Sequence, residues 1–412
     1  MTEMLNYSGR TPESIKGIKV IDADTHLTEP ADLWTRLAPE KYKDQVPRVV
    51  SSAGREIYNP HKGRMESADM WIWVVGDNVM GRAGGGSVIN HQNVKHKGPG
   101  FTHWPLTEVS PAASFLEPRL DLMDEVGIWG QIIYPNVVGF GGQAFKAIED
   151  RRLRLLCAQI WNDTMIELYE NSNGRLHGMA MIPWWDIEAA VKETQRVHAQ
   201  GLKGVNITSD PQHQGLPDLS DLHWEPLWEV CESLGMPINF HVGASDTGVQ
   251  WYGDSPWPSF EESKRLAIGS AMLYLGNARV VANLIFSGIL ERHPNLRFVS
   301  VESGIGWMPF LLEALDYQAD EANVRLSMKP SEYFHRQIYS CFWFENQTLL
   351  RDIDFVGWDK VMFETDFPHP TCLYPEPLKQ IGVTLENVDF AKREAVLSGN
   401  AARLYNIDTS RD

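Results

Sequence analysis

Eight short apolar runs alternate with helical stretches along most of this chain. That alternation limits the fold more than any other feature of the sequence. The runs are Ile18–Ile21, Gln131–Tyr134, Leu176–Ile182, Lys203–Ile207, Pro237–Val242, Leu296–Glu302, Gln337–Phe344 and Val361–Asp366. Helical patterning fills the gaps: Leu116–Val126, Phe145–Asn171, Ile187–Gln200, Trp224–Leu234, two stretches within Glu261–Arg292, Trp307–Val324, a short helix near Gln347 and a closing helix near Asn387–Leu397. Strands that alternate with helices pair in parallel through helical crossovers. Eight such units predict a closed (β/α)8 barrel. An open doubly wound sheet is the competitor, but no glycine-rich phosphate loop follows the first run, and that removes the usual ligand of the open fold. At 412 residues, one barrel domain with an insertion accounts for the whole chain.

The insertion is expected over residues 42–112, after the first strand. This segment contains Gly84-Gly85-Gly86, Trp71, Trp73 and Trp104, has little helical periodicity, and carries a candidate hairpin at Met70–Val75. So long a loop in a compact domain is either a cover over a site or a contact between subunits. Residues 1–16 read as an arm whose order would come from packing on a neighbour.

Barrel enzymes place their chemistry at the C-terminal ends of the strands. The first run leads into Val20–Pro30, V-I-D-A-D-T-H-L-T-E-P. On a regular strand Asp22, Asp24 and His26 share one face. Turn bonds for the two aspartates are the plainer reading. In P-I-N-F-H-V-G, Asn239 and His241 lie opposite Ile238, Phe240 and Val242. In L-R-F-V-S-V-E-S-G, Glu302 follows Ser300 on the face opposite Val299 and Val301. In V-M-F-E-T-D-F-P-H-P, Asp366 ends the last strand, Glu364 lies two residues behind, and His369 follows in the loop. Asp24, His26, His241, Glu302 and Asp366 thus occupy matching positions on four strands. Buried carboxylates repel one another, and each costs several kcal/mol to desolvate. A divalent cation is the simplest compensation.

These motifs resemble the amidohydrolase-related family that includes aminocarboxymuconate semialdehyde decarboxylase and the resorcylate decarboxylases. The likeness rests on D-A-D-T-H, H-V-G, H-P-N-L-R-F, T-D-F-P-H and the closing G-N-A-A-R-L-Y, and it runs from about Ile18 to Asn406. It implies a metal-dependent barrel enzyme, usually oligomeric. Asp24 and His26 take the place of the first-strand ligand pair, His241 the fifth-strand ligand, and Asp366 the last-strand ligand. Two positions depart from the pattern. Asp24 stands where histidine is common, and Glu302 stands where the decarboxylases and hydrolases use a catalytic histidine. Lys203 begins its strand, at the wrong end to serve as a carboxylated lysine.

Oxygen-rich ligands favour Fe or Mn. Three carboxylates also carry enough charge for two ions. The first functional reading is a dinuclear Fe or Mn/Fe oxygenase that hydroxylates a small organic acid, similar to the family branch that holds the 2-aminoisobutyrate hydroxylase. Asp24, His26, His241, Glu302 and Asp366 would hold the metals, with His369 or His335 as further ligands and Asp22 orienting them. The second reading is a mononuclear Zn or Mn decarboxylase or hydrolase of an aromatic or unsaturated carboxylic acid, with Glu302 or Asp366 as general acid or base. A third is a metal-bound structural subunit of a hetero-oligomer with a paralogous partner. Trp184, Trp185, Trp251 and Trp257 supply an aromatic pocket wall, and Arg82 and Arg119 are candidates to pair a substrate carboxylate.

The formal charge of -17 argues against nucleic acid or an anionic membrane as partner. Cys157, Cys231, Cys341 and Cys372 fit neither a zinc knuckle nor a disulfide framework. Reduced cysteines, the absence of a signal-peptide layout at the first ten residues and of a membrane-length apolar run lead to a cytoplasmic enzyme of a small molecule, as a homo-oligomer or hetero-oligomer.

Overall fold

The computed structural model describes residues 11–59, 64–67, 70–76, 78–100, 104–245 and 257–411. Eight parallel strands form the frame: β1 (Ile21–His26), β2 (Gly130–Tyr134), β3 (Leu176–Gly178 and Ala180–Met181, interrupted at Met179), β4 (Val205–Asn206), β5 (Ile238–His241), β6 (Phe298–Val301), β7 (Ile338–Phe342) and β8 (Val361–Phe363). They pair in that order. The ring closes where Thr25 bridges Phe367. There the N–H of His26 donates to the carbonyl of Phe367 at 2.7 Å and that of Asp366 to Asp24 at 3.0 Å. The fold is the expected (β/α)8 barrel.

Alternation along each strand divides its side chains between two layers. Ile21, Ala23, Ile132, Tyr134, Val299, Val301, Cys341 and Met362 fill the lumen. Ala401, Leu404, Tyr405 and Ile407, at the C-terminal end of the chain, join that cluster, and the Tyr405 hydroxyl donates to Asn239 Oδ1 at 2.6 Å. The opposite strand faces, with Val205, Ile238, Phe240, Phe298 and Phe363, pack on the surrounding helices.

Several boundaries differ from expectation. The long second helix starts at Arg151, because the Asp150 side chain caps the N–H groups of Arg152 and Leu153, and only a 3-10 turn covers Gln143–Ala147. Acceptance of those otherwise unpartnered N–H groups is what fixes a helix start. The span Glu261–Arg292 holds three helices, Glu262–Leu273, Gly276–Phe286 and Ile289–Arg292. Glu262–Phe286 is 25 residues with a hydropathy of 1.2, long and apolar enough to cross a membrane by composition, contrary to the reading of the sequence. It breaks after Leu273, and its second half buries Val280, Val281, Leu284 and Ile285 against the barrel. Those side chains account for its apolar character as a crossover helix.

The insertion folds as β structure. Arg48–Ser51, Trp71–Val75 and Asn78–Arg82 make an antiparallel sheet, and Glu56–Asn59 pairs with Arg64–Ser67. Trp73 meets Trp34 edge to face at 5.4 Å. Further on, Val88, Ile89 and Val109 pack with Phe367, Cys372 and Tyr374 of the loop after β8. The described part of the N-terminal arm packs on its own chain: Ile15 is buried and Ser14 Oγ donates to the carbonyl of Gly382 at 2.5 Å. Residues 1–10 of that arm lie outside the described residues. All four cysteines are free and buried.

Candidate metal centre

The strand ends gather the expected side chains at one point, by routes that simple alternation does not predict. In β1 the register with β2 slips by one residue between Asp22 and Thr25. Ala23 and Asp24 therefore oppose one partner position, as in a β-bulge. Ala23 stays in the lumen and Asp24 turns to the site. Asp22, expected on the same face, instead accepts hydrogen bonds from Thr365 N at 2.8 Å, Thr365 Oγ1 at 2.5 Å and Gln131 Nε2 at 3.4 Å. It ties β1 to the end of β8, and burial pushes its carboxyl up to about 7.

Glu302 also arrives unexpectedly. Val299 and Val301 face the lumen, so alternation alone would send Glu302 outward. Its φ of +48° turns the chain and swings the carboxylate over the strand end. Asp366 (φ +59°) and Val242 (φ +42°) are left-handed at the ends of β8 and β5 as well. Such a conformation is costly for non-glycine residues, most of all β-branched ones, and it concentrates at functional sites. Gly276 makes room for the turn at Val242: a Cβ there would lie 2.4 Å from the Val242 carbonyl oxygen.

The result is two overlapping sets of donors. Asp24, His26, His241 and Glu302 form one, and His26, Glu302, Asp366 and His369 the other; in each set the candidate ligand atoms lie within 4.8 Å of one another. The Nε2 atoms of His26 and His241 are 2.9 Å apart. Nδ1 of His26 lies 3.0 Å from the carbonyl oxygen of Pro135. A carbonyl accepts only, so that nitrogen carries the proton, and Nε2 turns its lone pair to the site in the neutral ring. His241 Nε2 lies 3.2 Å from Glu302 and 3.4 Å from Asp24. His369 stacks on His26 at 3.7 Å, with Nδ1 3.1 Å from Asp366. Phe140 covers His241 at 4.0 Å.

Both carboxylate oxygens of Asp24 are buried without a hydrogen-bond partner, as are Asp366 Oδ1, Glu364 Oε1 and His369 Nε2. Burial, reinforced by the neighbouring carboxylates, pushes the carboxyls of Asp24, Glu302 and Glu364 well above their ordinary range. Burial lowers the imidazoles of His26 and His241, with neighbouring histidines adding to the effect. A cation reverses this pattern. The donor set, mixed oxygen and nitrogen with orphaned oxygens turned inward, fits a divalent metal ion.

Glu364 belongs to this centre, although the sequence offered it only as a neighbour of Asp366. Its Oε2 accepts from the Glu302 N–H at 3.3 Å. The two-residue spacing from Asp366 was the signal. His335 does not take part: it sits in helix Pro330–Gln337, which enters β7 from the opposite end of the barrel, and its Nδ1 meets the Val356 carbonyl. Arg119 braces β1 from outside through the carbonyl of His26 at 2.7 Å, and burial brings it down to about 10. Neither Arg82 nor Arg119 is among the residues that line the two cavities beside the centre. The tryptophans do not form the wall either. Trp184 is buried and donates to Gly141, Trp185 packs on Phe145, and Trp257 is 70% exposed; Trp251 lies outside the described residues. Asn136 and Phe140, in the glycine-rich loop after β2, line both cavities. Val79, Met80 and Gly86 extend the wall from the insertion, so that segment covers the site.

Residues 21–407 match the family model described as Amidohydrolase. The gamma-resorcylate decarboxylase of Rhizobium sp. (strain MTP-10005) is 27% identical over 312 residues, which is 71% of this chain and 87% of that protein. Among solved structures, an amidohydrolase from Mycobacterium avium subsp. paratuberculosis K-10 superposes with a TM-score of 0.69 at 20% identity, covering 94% of this chain and 99% of that one. A dihydroxybenzoic acid decarboxylase from Polaromonas sp. JS666, solved with bound manganese and the inhibitor 2-nitroresorcinol, has a TM-score of 0.58 at 18% identity over 96% and 98% of the two chains. These structural likenesses speak for the fold. The hydroxylating branch, favoured from the carboxylate substitutions, finds no support in these relatives. Barrel, strand-end donor clusters and a family match over nearly the whole chain agree: this protein is an enzyme of the amidohydrolase family.

Proposed function

We propose that this enzyme is a metal-dependent decarboxylase of an aromatic carboxylic acid. The observation that carries the metal is Asp24, a fully buried carboxylate with no hydrogen-bond partner at either oxygen, facing two histidine nitrogens. The reaction class draws its support from the decarboxylases among the relatives. Asp24, His26, His241 and Asp366 would hold the ion, and manganese is favoured by the oxygen-rich set. Bound there, a divalent ion supplies a Lewis acid that polarises a substrate oxygen.

The chain's own groups divide the remaining work. Decarboxylation breaks the bond between ring and carboxyl carbon and leaves its electron pair on the ring. A proton must reach that carbon as CO2 departs. Glu302 borders the cavity at the centre, whereas Asp366 is fully buried behind it. Glu302 is therefore the proton donor of this reading, replacing the histidine expected of the family. His369, which borders the same cavity with Nε2 unpartnered, orients the acid.

The oxygenase with two Fe or Mn ions is the second reading. One observation favours it: the donors form two sets that share His26 and Glu302. The test is the manganese-loaded enzyme with gamma-resorcylate and related hydroxybenzoates, with CO2 release, oxygen uptake and metal per chain measured together. CO2 release at about one ion per chain supports the decarboxylase. Oxygen consumption at about two ions per chain, without CO2 release from any aryl acid, overturns it.

A further inference from the structure

The centre opens into a chamber of about 230 Å³ bordered by Glu302, His369, Tyr274 and Thr371. A second chamber of about 480 Å³ lies beside it. The two share Asn136, Phe140 and Leu273 in their walls. The first chamber alone is large enough for a single-ring acid, and such a ligand would leave the second unused.

The second chamber is of a different character. Val79, Met80, Val137, Val242 and Ala244 line it, and Lys146 is the one charged residue among its described lining. Val79 is 39% exposed, an apolar side chain that nothing in the described chain covers further. Val79 and Met80 belong to the strand Asn78–Arg82, paired with Trp71–Val75 of the insertion. A largely apolar cavity that shares the walls Asn136, Phe140 and Leu273 with the cavity at a polar centre is suited to a ligand with an apolar part and a polar head.

We propose that the substrate carries an apolar arm beyond its acid head, and that Met80 sets how large an arm is accepted. The acid head rests on the decarboxylase reading; the arm rests on the second chamber alone. Each methylene moved from water into such a wall strengthens binding several-fold.

Isothermal titration of the manganese-loaded full chain with benzoate, 3-butylbenzoate and 4-butylbenzoate tests this. At least one butyl isomer should bind about tenfold or more tighter than benzoate. Met80→Trp, which fills the chamber, should abolish that gain and leave benzoate affinity within about twofold. Met80→Ala should admit a hexyl arm that the parent protein binds less well, and it decides the matter if the tryptophan variant does not fold. Butyl isomers no tighter than benzoate, or Met80→Trp weakening both probes equally, overturn the proposal. Binding is read without turnover. Absent CO2 release would therefore count against the decarboxylase alone, and absent selectivity against the arm alone.

Discussion

His26 and His241 face each other through their Nε2 atoms at 2.9 Å, both fully buried. The lone pair of one and either a proton or a shared cation must lie between them. With Nδ1 of His26 engaged by Pro135, its Nε2 lone pair either accepts an N–H from neutral His241 or shares a cation with it; the unpartnered Asp24 oxygens beside both rings favour the cation. Removing it leaves several carboxylates uncompensated in the barrel mouth. Chelation with EDTA should therefore lower Tm by about 5 °C or more, and manganese should restore it. Calorimetry with and without metal is the check, and an unchanged Tm would argue against a bound ion.

The bulge in β1 makes two aspartates, two residues apart, unequal. Asp24→Asn should reduce metal content at least tenfold, yet leave the metal-free fold as stable or more stable, by about 1 kcal/mol, because one buried charge is gone. Asp22→Asn should keep the metal. Its oxygen still accepts from Thr365 N, and Gln131, whose Oε1 lacks a partner, can rotate its amide to receive the new N–H. A cost below about 1 kcal/mol is expected. Elemental analysis of the two variants side by side is decisive: equal metal loss in both would mean that Asp22 and Asp24 act on one face after all.

The barrel and its strand ends were legible because periodicity reports which residues are strand and which face they share. The breaks in that periodicity were not. A bulge at Ala23-Asp24 and a left-handed Glu302 are backbone events without a glycine or proline to announce them. Glu302 was expected at the site through a face it does not share with the lumen valines, and a strained turn brings it there. His335 precedes the run Gln337–Phe344 and so lies at the end of the barrel from which Lys203 is excluded; the same reasoning excludes it, and helix Pro330–Gln337 holds it there. Trp184, Trp185 and Trp257 were placed in loops correctly, but burial beneath those loops depends on contacts far along the chain, such as Trp184 with Gly141.

Glu364 acts through its neighbour. It accepts the Glu302 N–H while the Cys341 thiol bonds to its side chain. Glu364→Gln keeps the acceptor and removes the charge. Metal affinity should fall about 10–100-fold, the range for groups that orient a ligand, with stability within about 1 kcal/mol of the parent. A competitive chelator titration reads the affinity. An unchanged value would assign Glu364 to the lumen core alone.

Glu29 holds the loop that carries Asn136 and Phe140 over the centre. One of its oxygens, Oε1, accepts both the Asn136 N–H at 2.8 Å and the Val137 N–H at 2.9 Å. Asn136 in turn donates to the Gly85 carbonyl of the insertion at 2.9 Å, so the carboxyl anchors barrel loop and cover together. Burial raises it from 4.5 to about 7. The folded state thus binds this proton more tightly than the unfolded chain. Its contribution to stability is complete below about pH 4.5 and is lost as pH rises through about 7. Glutamine offers the same single oxygen to both N–H groups without a charge to bury. Glu29→Gln should match the parent within about 0.5 kcal/mol at pH 4 and exceed it by about 1–3 kcal/mol at pH 8. Denaturant unfolding at the two pH values checks this. A variant less stable than the parent at pH 8 would show that the ionised carboxylate, and not merely its oxygen, holds the loop.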